Sequence, residues 1–531
     1  IKLINCLKVM ISMPRTFKVL QIGGNDLENL FENKREVEWD YIDTAVFDFE
    51  SGYLEAVEAL IEQNGAFDFV FTQALYSESL INLFKIVSTP YNTVIDEAYW
   101  DVHFQEEKIV QQNFIKPLKY DNEEDLHQKL QAITFPGQYG DKVTPIHCRV
   151  NTAFIGKYQF NGNESLEISG NFGDQLTPLV TWSRNIIADE NKVNQIWPEF
   201  KIEGEVKKQY TLRMIPVYST EQPVETFIFE QNELDQPIEL PARPYKANVS
   251  VSLKAQGEGK LYVGSIHKRW SRLELGQFIL GGQWFSDKNR NEFFHYFNPG
   301  DFKPPLNVYF SGYRTAEGFE GFFMMNRLNA PFILISDPRI EGGAFYLGSE
   351  DYENGIKDVI LGALDYLGFT HDQLILSGLS MGSFGALYYA TRLQPAAVIV
   401  GKPLINVGTI ANNMKLVRPN DFGTSLDVLR SNEGGISENE INQLDQKFWN
   451  QIHNSQLTQT TFAIAYMEHD DYDINAFHEL LPVLTKQYAR VMSRSVPGRH
   501  NDDSSTITNW FINFYHLIMA QQFGRESHAR S

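Results

Sequence analysis

Gly378-Leu379-Ser380-Met381-Gly382 sits between a strand-like run at 373–377 and a helix-like run at 383–393. A serine in such a G-x-S-x-G turn stands at the carboxyl end of a strand with its hydroxyl exposed. The amide of Met381 and the positive end of the next helix then point at any oxyanion formed beside it. Small residues flank the serine because the turn crowds strand against helix. The bland alternative is a tight strand–helix turn without chemistry. What lies downstream separates the two.

A buried strand is expected at 460–467, where Phe462, Ile464 and Tyr466 alternate with Ala463 and Ala465. It runs into Glu468-His469-Asp470-Asp471-Tyr472-Asp473, an acidic turn where a triad carboxylate belongs. Asp470 is the first choice, because α/β-hydrolases place the acid a few residues beyond the strand; Asp471 and Glu468 are the fallbacks. A last strand at 488–495 leads to Pro497-Gly498-Arg499-His500, before a closing helix from about 504 to 523. The order serine, acid, histidine is the one α/β-hydrolases use. It puts Ser380, Asp470 and His500 at one rim of a sheet. A serine hydroxyl attacks at neutral pH only if a base takes its proton, and a carboxylate fixes the imidazole that does so. The second oxyanion amide is expected after a strand at 306–310, in Ser311-Gly312-Tyr313-Arg314, with Gly312 and Tyr313 as candidates beside Met381. His500 has the alternative of an exposed loop histidine, and His469 and His478 read as surface residues.

At 531 residues, two to four domains are expected. The formal charge of −21 is spread along the chain, which disfavours nucleic acid and anionic membrane without excluding a basic protein partner. Only Cys6 and Cys148 are present, so neither a disulfide framework nor a zinc set exists, and the usage fits a reducing cytoplasm. No metal is required by the motif. No apolar run approaches the roughly 18 residues of a membrane helix. Residues 1–13 are broken by Lys2 and Lys8 and make a poor signal peptide. Position 1 is not methionine, which leaves an upstream boundary or a start at Met13. Residues 525–531 read as a disordered tail.

Three domains are expected. Over 14–142 strands and helices alternate, with strands at 17–22, 39–42, 67–71 and 93–95. This is the βαβ rhythm of a small doubly wound, Rossmann- or flavodoxin-like sheet. Gly23-Gly24-Asn25-Asp26 follows the first strand but lacks the spacing of a dinucleotide fingerprint, so a scaffold or interaction domain is the better reading. From 143 to 288 strands recur every eight to twelve residues, the pattern of a β-sandwich or jelly roll. Trp182, Trp197, Trp270 and Trp284 in or near it are core residues before they are sugar-stacking platforms. From 289 to 525 alternation returns as an α/β-hydrolase-like domain holding every catalytic candidate, with a long polar stretch at 416–452 as a cap or lid.

This domain order resembles that of the accessory Sec system family of the Asp-two type. So do FSGYRTAEGFEGFFMMNRL at 310–328, LILSGLSMGSFGALYYATR at 374–392 and YMEHDDYD at 466–473. The resemblance covers nearly the whole chain beyond Met13. It implies a cytoplasmic, membrane-associated member of a Gram-positive export complex. The implied partners are two sister accessory Sec proteins, a SecA-like motor ATPase and a glycosylated serine-rich repeat adhesin. It also implies O-acetylation of N-acetylglucosamine on the adhesin, with Ser380 as nucleophile, His500 as base and the acid within 468–471. No tightly bound cofactor is implied; the acyl donor is not readable, and acetyl-CoA is the donor to test. A scaffold without catalysis and a free carbohydrate esterase are the competing readings.

Overall fold

Three sheets follow one another along the chain. The computed structural model describes residues 16–31, 36–45, 47, 52–217, 222–416 and 425–525. The readings on Cys6, on residues 1–13 and on the tail beyond Arg525 lie outside these residues.

Phe17–Gly23 (β1), Val37–Ile42 (β2), Phe69–Gln73 (β3), Thr93–Asp96 (β4) and Lys116–Leu118 (β5) form an all-parallel sheet in the order β2-β1-β3-β4-β5. That is the flavodoxin-like order. β1 and β3 are buried almost throughout, as internal strands covered on both faces must be. The glycine loop after β1 is filled by the protein itself. Gln21 Nε2 donates to the carbonyls of Gly23 (3.0 Å) and Asn25 (2.7 Å). A Cβ on Gly24 would lie 2.2 Å from Gln73 Oε1.

The middle region is one antiparallel sheet dominated by three long strands, Ser165–Trp182 (β6), Asn194–Pro216 (β7) and Ala247–Trp270 (β8). The short strands expected at 209–216, 248–254 and 260–266 are arms of these. The long strands are interrupted by glycines in left-handed backbone: Gly173 (φ 93°), Gly204 (φ 93°) and Gly257 (φ 96°). Side chains from both arms, such as Leu253 and Leu261 or Leu166 and Leu179, share one hydrophobic cluster, so the sheet covers its own core. Trp182 and Trp197 are buried as expected, while Trp270 and Trp284 are half-buried with their indole N–H groups on Asp189 and Glu292.

The third sheet has eight strands: Gln283–Ser286 (β9), Glu292–Asn298 (β10), Leu306–Phe310 (β11), Phe332–Ser336 (β12), Leu374–Leu379 (β13), Ala397–Gly401 (β14), Thr461–Met467 (β15) and Arg490–Val496 (β16). Their order is β9-β10-β12-β11-β13-β14-β15-β16, antiparallel at the β9 and β10 edge and parallel beyond. This is the α/β-hydrolase arrangement. Residues along its inner strands alternate between two cores. Leu376, Val398 and Ile464 face one side, and Ile375, Ile399 and Ala463 the other, where helix Ser504–Phe523 packs. Two boundaries differ from expectation: Gly140–Val143 pairs with β8 in the middle sheet, and β9 joins the third sheet before residue 289. In each case a short edge strand hydrogen-bonds across the division that periodicity suggested. The stretch at 416–452 contributes helices Ser425–Glu433 and Glu438–Asn454; residues 417–424 lie outside the described residues.

Candidate functional site

β13 ends at Leu379 and helix Met381–Leu393 begins at Met381, so Ser380 alone makes the turn. Its backbone, at φ 53° and ψ −121°, lies where a residue with a Cβ is strained by about 1–3 kcal/mol. The strain is held by two backbone bonds: Ser380 N donates to Gly401 O (2.9 Å), and Ser383 N to Ser380 O (2.9 Å). The flanking glycines are required by close approach. A Cβ on Gly378 would lie 2.2 Å from Gly382 O, and one on Gly382 would lie 2.0 Å from Phe310 O.

The structure brings Ser380, His500 and Asp470 together. Ser380 Oγ is 2.8 Å from His500 Nε2, and His500 Nδ1 is 2.8 Å from Asp470 Oδ2. An ionised carboxylate can only accept, so Nδ1 carries the imidazole proton and Nε2 is left to accept from the serine. His500 is buried, which removes its exposed-loop alternative, and its ring stacks on Tyr472 at 4.3 Å between centroids. Asp470 is also buried; its Oδ1 accepts from the amides of Tyr472 (2.9 Å) and Asp473 (3.3 Å). Of the fallback acids, Asp471 accepts from the backbone amide of His500 (3.1 Å), and Glu468 is exposed. His469 and His478 are exposed, as expected.

Met381 is the first residue of its helix, so its N–H has no acceptor within the helix, and the residue lines the cavity around Ser380. Gly312 differs from expectation. Its amide donates to Glu320 Oε2 at 2.7 Å, so a carboxylate already holds the group expected to meet an oxyanion. The glycine-containing loop folds back on itself over eight residues, and sequence spacing does not reveal that return. Tyr309 shares this corner. Burial first, and then the Glu320 charge, hold its hydroxyl well above the ordinary phenol range. Tyr313 lines the cavity and is partly exposed.

The cavity around Ser380 has a volume of about 420 Å³. Phe345, Leu404, Ile410 and Ile507 supply apolar wall, and Glu320, Lys402 and Asn501 supply polar groups. Sequence reasoning misses Lys402. Its position directly after β14, at the carboxyl edge of the sheet, is the signal that could have found it. It donates to Ser504 Oγ (3.0 Å), and burial lowers its pKa against the opposing pull of Asp470 and Glu320. Cys148 lies in the middle region, with burial pushing its thiol up to about 12. Among the described residues no cluster of His, Cys, Asp and Glu could hold a metal ion, and no helix is long and apolar enough to cross a membrane.

Residues 17–525 match the Asp-two family, described as the accessory Sec system GspB-transporter. The accessory Sec system protein Asp-two of Staphylococcus aureus is 56% identical over 517 residues, covering 97% of this chain and 99% of that protein. Its counterpart from Streptococcus gordonii is 36% identical over 516 residues, covering 97% and 100%. A chain of the Glycosylation Associate Protein (Gap123) complex from Streptococcus agalactiae has the same fold, with a TM-score of 0.86 and 34% identity over 96% of this chain and 99% of that one. From end to end of its three sheets, the chain belongs to the Asp-two family of the accessory Sec system.

Proposed function

We propose that this chain is a serine-dependent O-acetyltransferase of the accessory Sec export machinery, acting on N-acetylglucosamine carried by a serine-rich repeat adhesin. The observation behind the reading is the line of hydrogen bonds from Ser380 Oγ through His500 to Asp470. As Oγ attacks an acyl carbonyl, its proton passes to His500 Nε2, and Asp470 stabilises the imidazolium. The oxyanion forms beside the Met381 amide. Collapse expels the donor's leaving group, a thiolate if the donor is acetyl-CoA, which takes the proton from His500. A sugar hydroxyl then attacks acetyl-Ser380, giving its proton to Nε2, and Oγ leaves reprotonated. Water competes at this second step, and the apolar walls of the cavity oppose it. No tightly bound cofactor takes part. In this reading the chain works beside two sister accessory proteins and a SecA-like motor, peripherally at the membrane, on the glycosylated adhesin.

Ser380→Ala is the test. Acetyl content of the exported adhesin is expected to fall to background while export is largely retained. Wild-type acetylation in that variant would refute the catalytic reading.

A further inference from the structure

A second, larger cleft of about 950 Å³ opens where the middle sheet meets the hydrolase-like domain. One wall is the hairpin of Lys157–Asn161 with the start of β6, and the other is Arg339, Ile340 and the segment from Arg430 to Ile436. The two walls are tied at one end. Arg430 Nη1 donates to Asn161 Oδ1 (2.9 Å), and the amide and side chain of Asn163 donate to Asp427 (3.2 and 3.3 Å). Gly162 permits this closure: at φ 59°, a Cβ there would lie 1.8 Å from Asp427 Oδ1.

The lining combines aromatic faces with planar amides. Phe160 is 44% exposed, and Tyr262 stands beside Gln159, Asn161, Asn289 and Asn291. Charges of both signs line the cleft, Glu167 and Glu199 with Lys201 and Arg430, so it suits neither a strong anion nor a strong cation. Burial first, then Asp427, raises Glu164 to about 7, which lets it donate as well as accept near neutrality. Arg290 also lines the cleft, and its Nη2 is shielded from solvent with no hydrogen-bond partner among the described residues. Its guanidinium carbon lies over the rings of Trp197 (3.6 Å) and Phe200 (4.2 Å), which holds it in the wall of the cleft. Aromatic faces for apolar ring faces, and amides for hydroxyls of either polarity, are what a neutral saccharide needs.

The cleft is also linked to the serine cavity. Arg339 and Ile340 line the cleft, and Phe345, five residues beyond Ile340, lines the cavity. Between them a Cβ on Gly343 would lie 2.5 Å from Met381 Cε, so this segment packs directly on the elbow. We propose that this interdomain cleft is an acceptor subsite that holds neighbouring N-acetylglucosamine units of a glycosylated polypeptide while one unit is presented to Ser380. The inference rests on the acetyl-transfer reading for its substrate, but not for its test.

The test measures equilibrium binding by calorimetry on the full chain carrying Ser380→Ala, so that no turnover intervenes. The probes are a synthetic serine-rich peptide bearing several O-linked N-acetylglucosamine units and the same peptide without sugar. Gln159→Ala with Phe160→Ala is expected to weaken binding of the glycopeptide at least tenfold. The same pair placed on native Ser380 is expected to leave p-nitrophenyl acetate turnover unchanged. Affinity within twofold of the parent, no measurable glycopeptide binding by the parent, or equal binding of the bare peptide would each overturn the proposal. Loss of binding together with absent Ser380-dependent turnover would retain the subsite and sink the acetyl-transfer reading instead.

Discussion

Asp470→Asn tests the charge line with the least disturbance of shape. In the parent, Asp470 Oδ1 accepts from two amides, Tyr472 N at 2.9 Å and Asp473 N at 3.3 Å. An asparagine must keep its oxygen there, because an NH₂ group would face two N–H donors. Its NH₂ therefore occupies the Oδ2 position, 2.8 Å from His500 Nδ1. The ring must then accept at Nδ1 and carry its proton on Nε2, which points at Ser380 Oγ and can no longer take the serine proton. A wrong tautomer of this kind lowers turnover about 10⁴-fold, or about 5 kcal/mol of transition-state stabilisation. Rapid-mixing measurement of p-nitrophenol release from p-nitrophenyl acetate reads acylation directly. Thermal unfolding should shift little, since both backbone amides keep an acceptor. Asp471→Asn is the control: its Oδ1 accepts from the backbone amide of His500 at 3.1 Å, which an asparagine oxygen also accepts, so acylation should stay within about tenfold. If Asp470→Asn acylates within tenfold of the parent while Asp471→Asn collapses, the acid has been misassigned and the tautomer reasoning fails.

Glu320→Ala removes the carboxylate that braces Gly312; a charged hydrogen bond of this kind contributes about 1.5–3 kcal/mol, so slower acylation and a lower melting temperature are expected. Faster acylation would instead mark Glu320 as a plug in the oxyanion site. Gly382→Ala should unfold or inactivate the protein, because its Cβ meets Phe310 O at 2.0 Å, whereas Gly362→Ala, an exposed helix position with nothing within 4 Å, should stabilise by about 0.5–1 kcal/mol in denaturant titration. Burial lowers the His267 pKa, but Glu317 and Glu292 raise it further, to about 9. Its folded pKa thus exceeds the unfolded value near 6.5, so the stabilisation is complete below about pH 6.5 and lost as pH rises through about 9. Melting temperature should fall between pH 7 and pH 10, and less so in His267→Gln.

The hydrolase-like half was legible because its signals are local. Phe462, Ile464 and Ala465 mark a strand, and the elbow glycines mark a turn that only small residues permit. The acid was legible to within a short turn; Asp470 and Asp471 are adjacent in sequence, and only the fold decides that one faces the imidazole ring and the other its backbone. β9 and β10 were missed because an aromatic-rich hairpin at a sheet edge carries no βαβ rhythm. Lys116–Leu118 was missed because it is three residues long and contains Pro117, tolerable only at an edge. The return of Glu320 onto Gly312 depends on a loop whose course is set from another part of the chain.

That other part is the middle sheet. Three residues before Glu320, Glu317 is buried and accepts from Arg269 Nε (2.6 Å) and bonds His267 Nδ1 (2.5 Å), both on β8, while its own amide donates to Gly140 O (3.0 Å). Arg269 in turn grips Glu292 of β10, with Nη1 at 3.0 Å from Oε2. Gln138 closes the loop from the same side, bonding both the amide (2.9 Å) and the carbonyl (2.6 Å) of Phe319. Buried ion pairs add little net stability over an apolar substitute, yet losing one partner costs about 3–5 kcal/mol because a charge is stranded. Such a network is therefore better suited to selecting one loop conformation than to strengthening the fold. The loop it selects carries Gly312 and Glu320 to the edge of the serine cavity. The middle sheet, which contributes no member of the Ser–His–Asp line, thus fixes the geometry beside it.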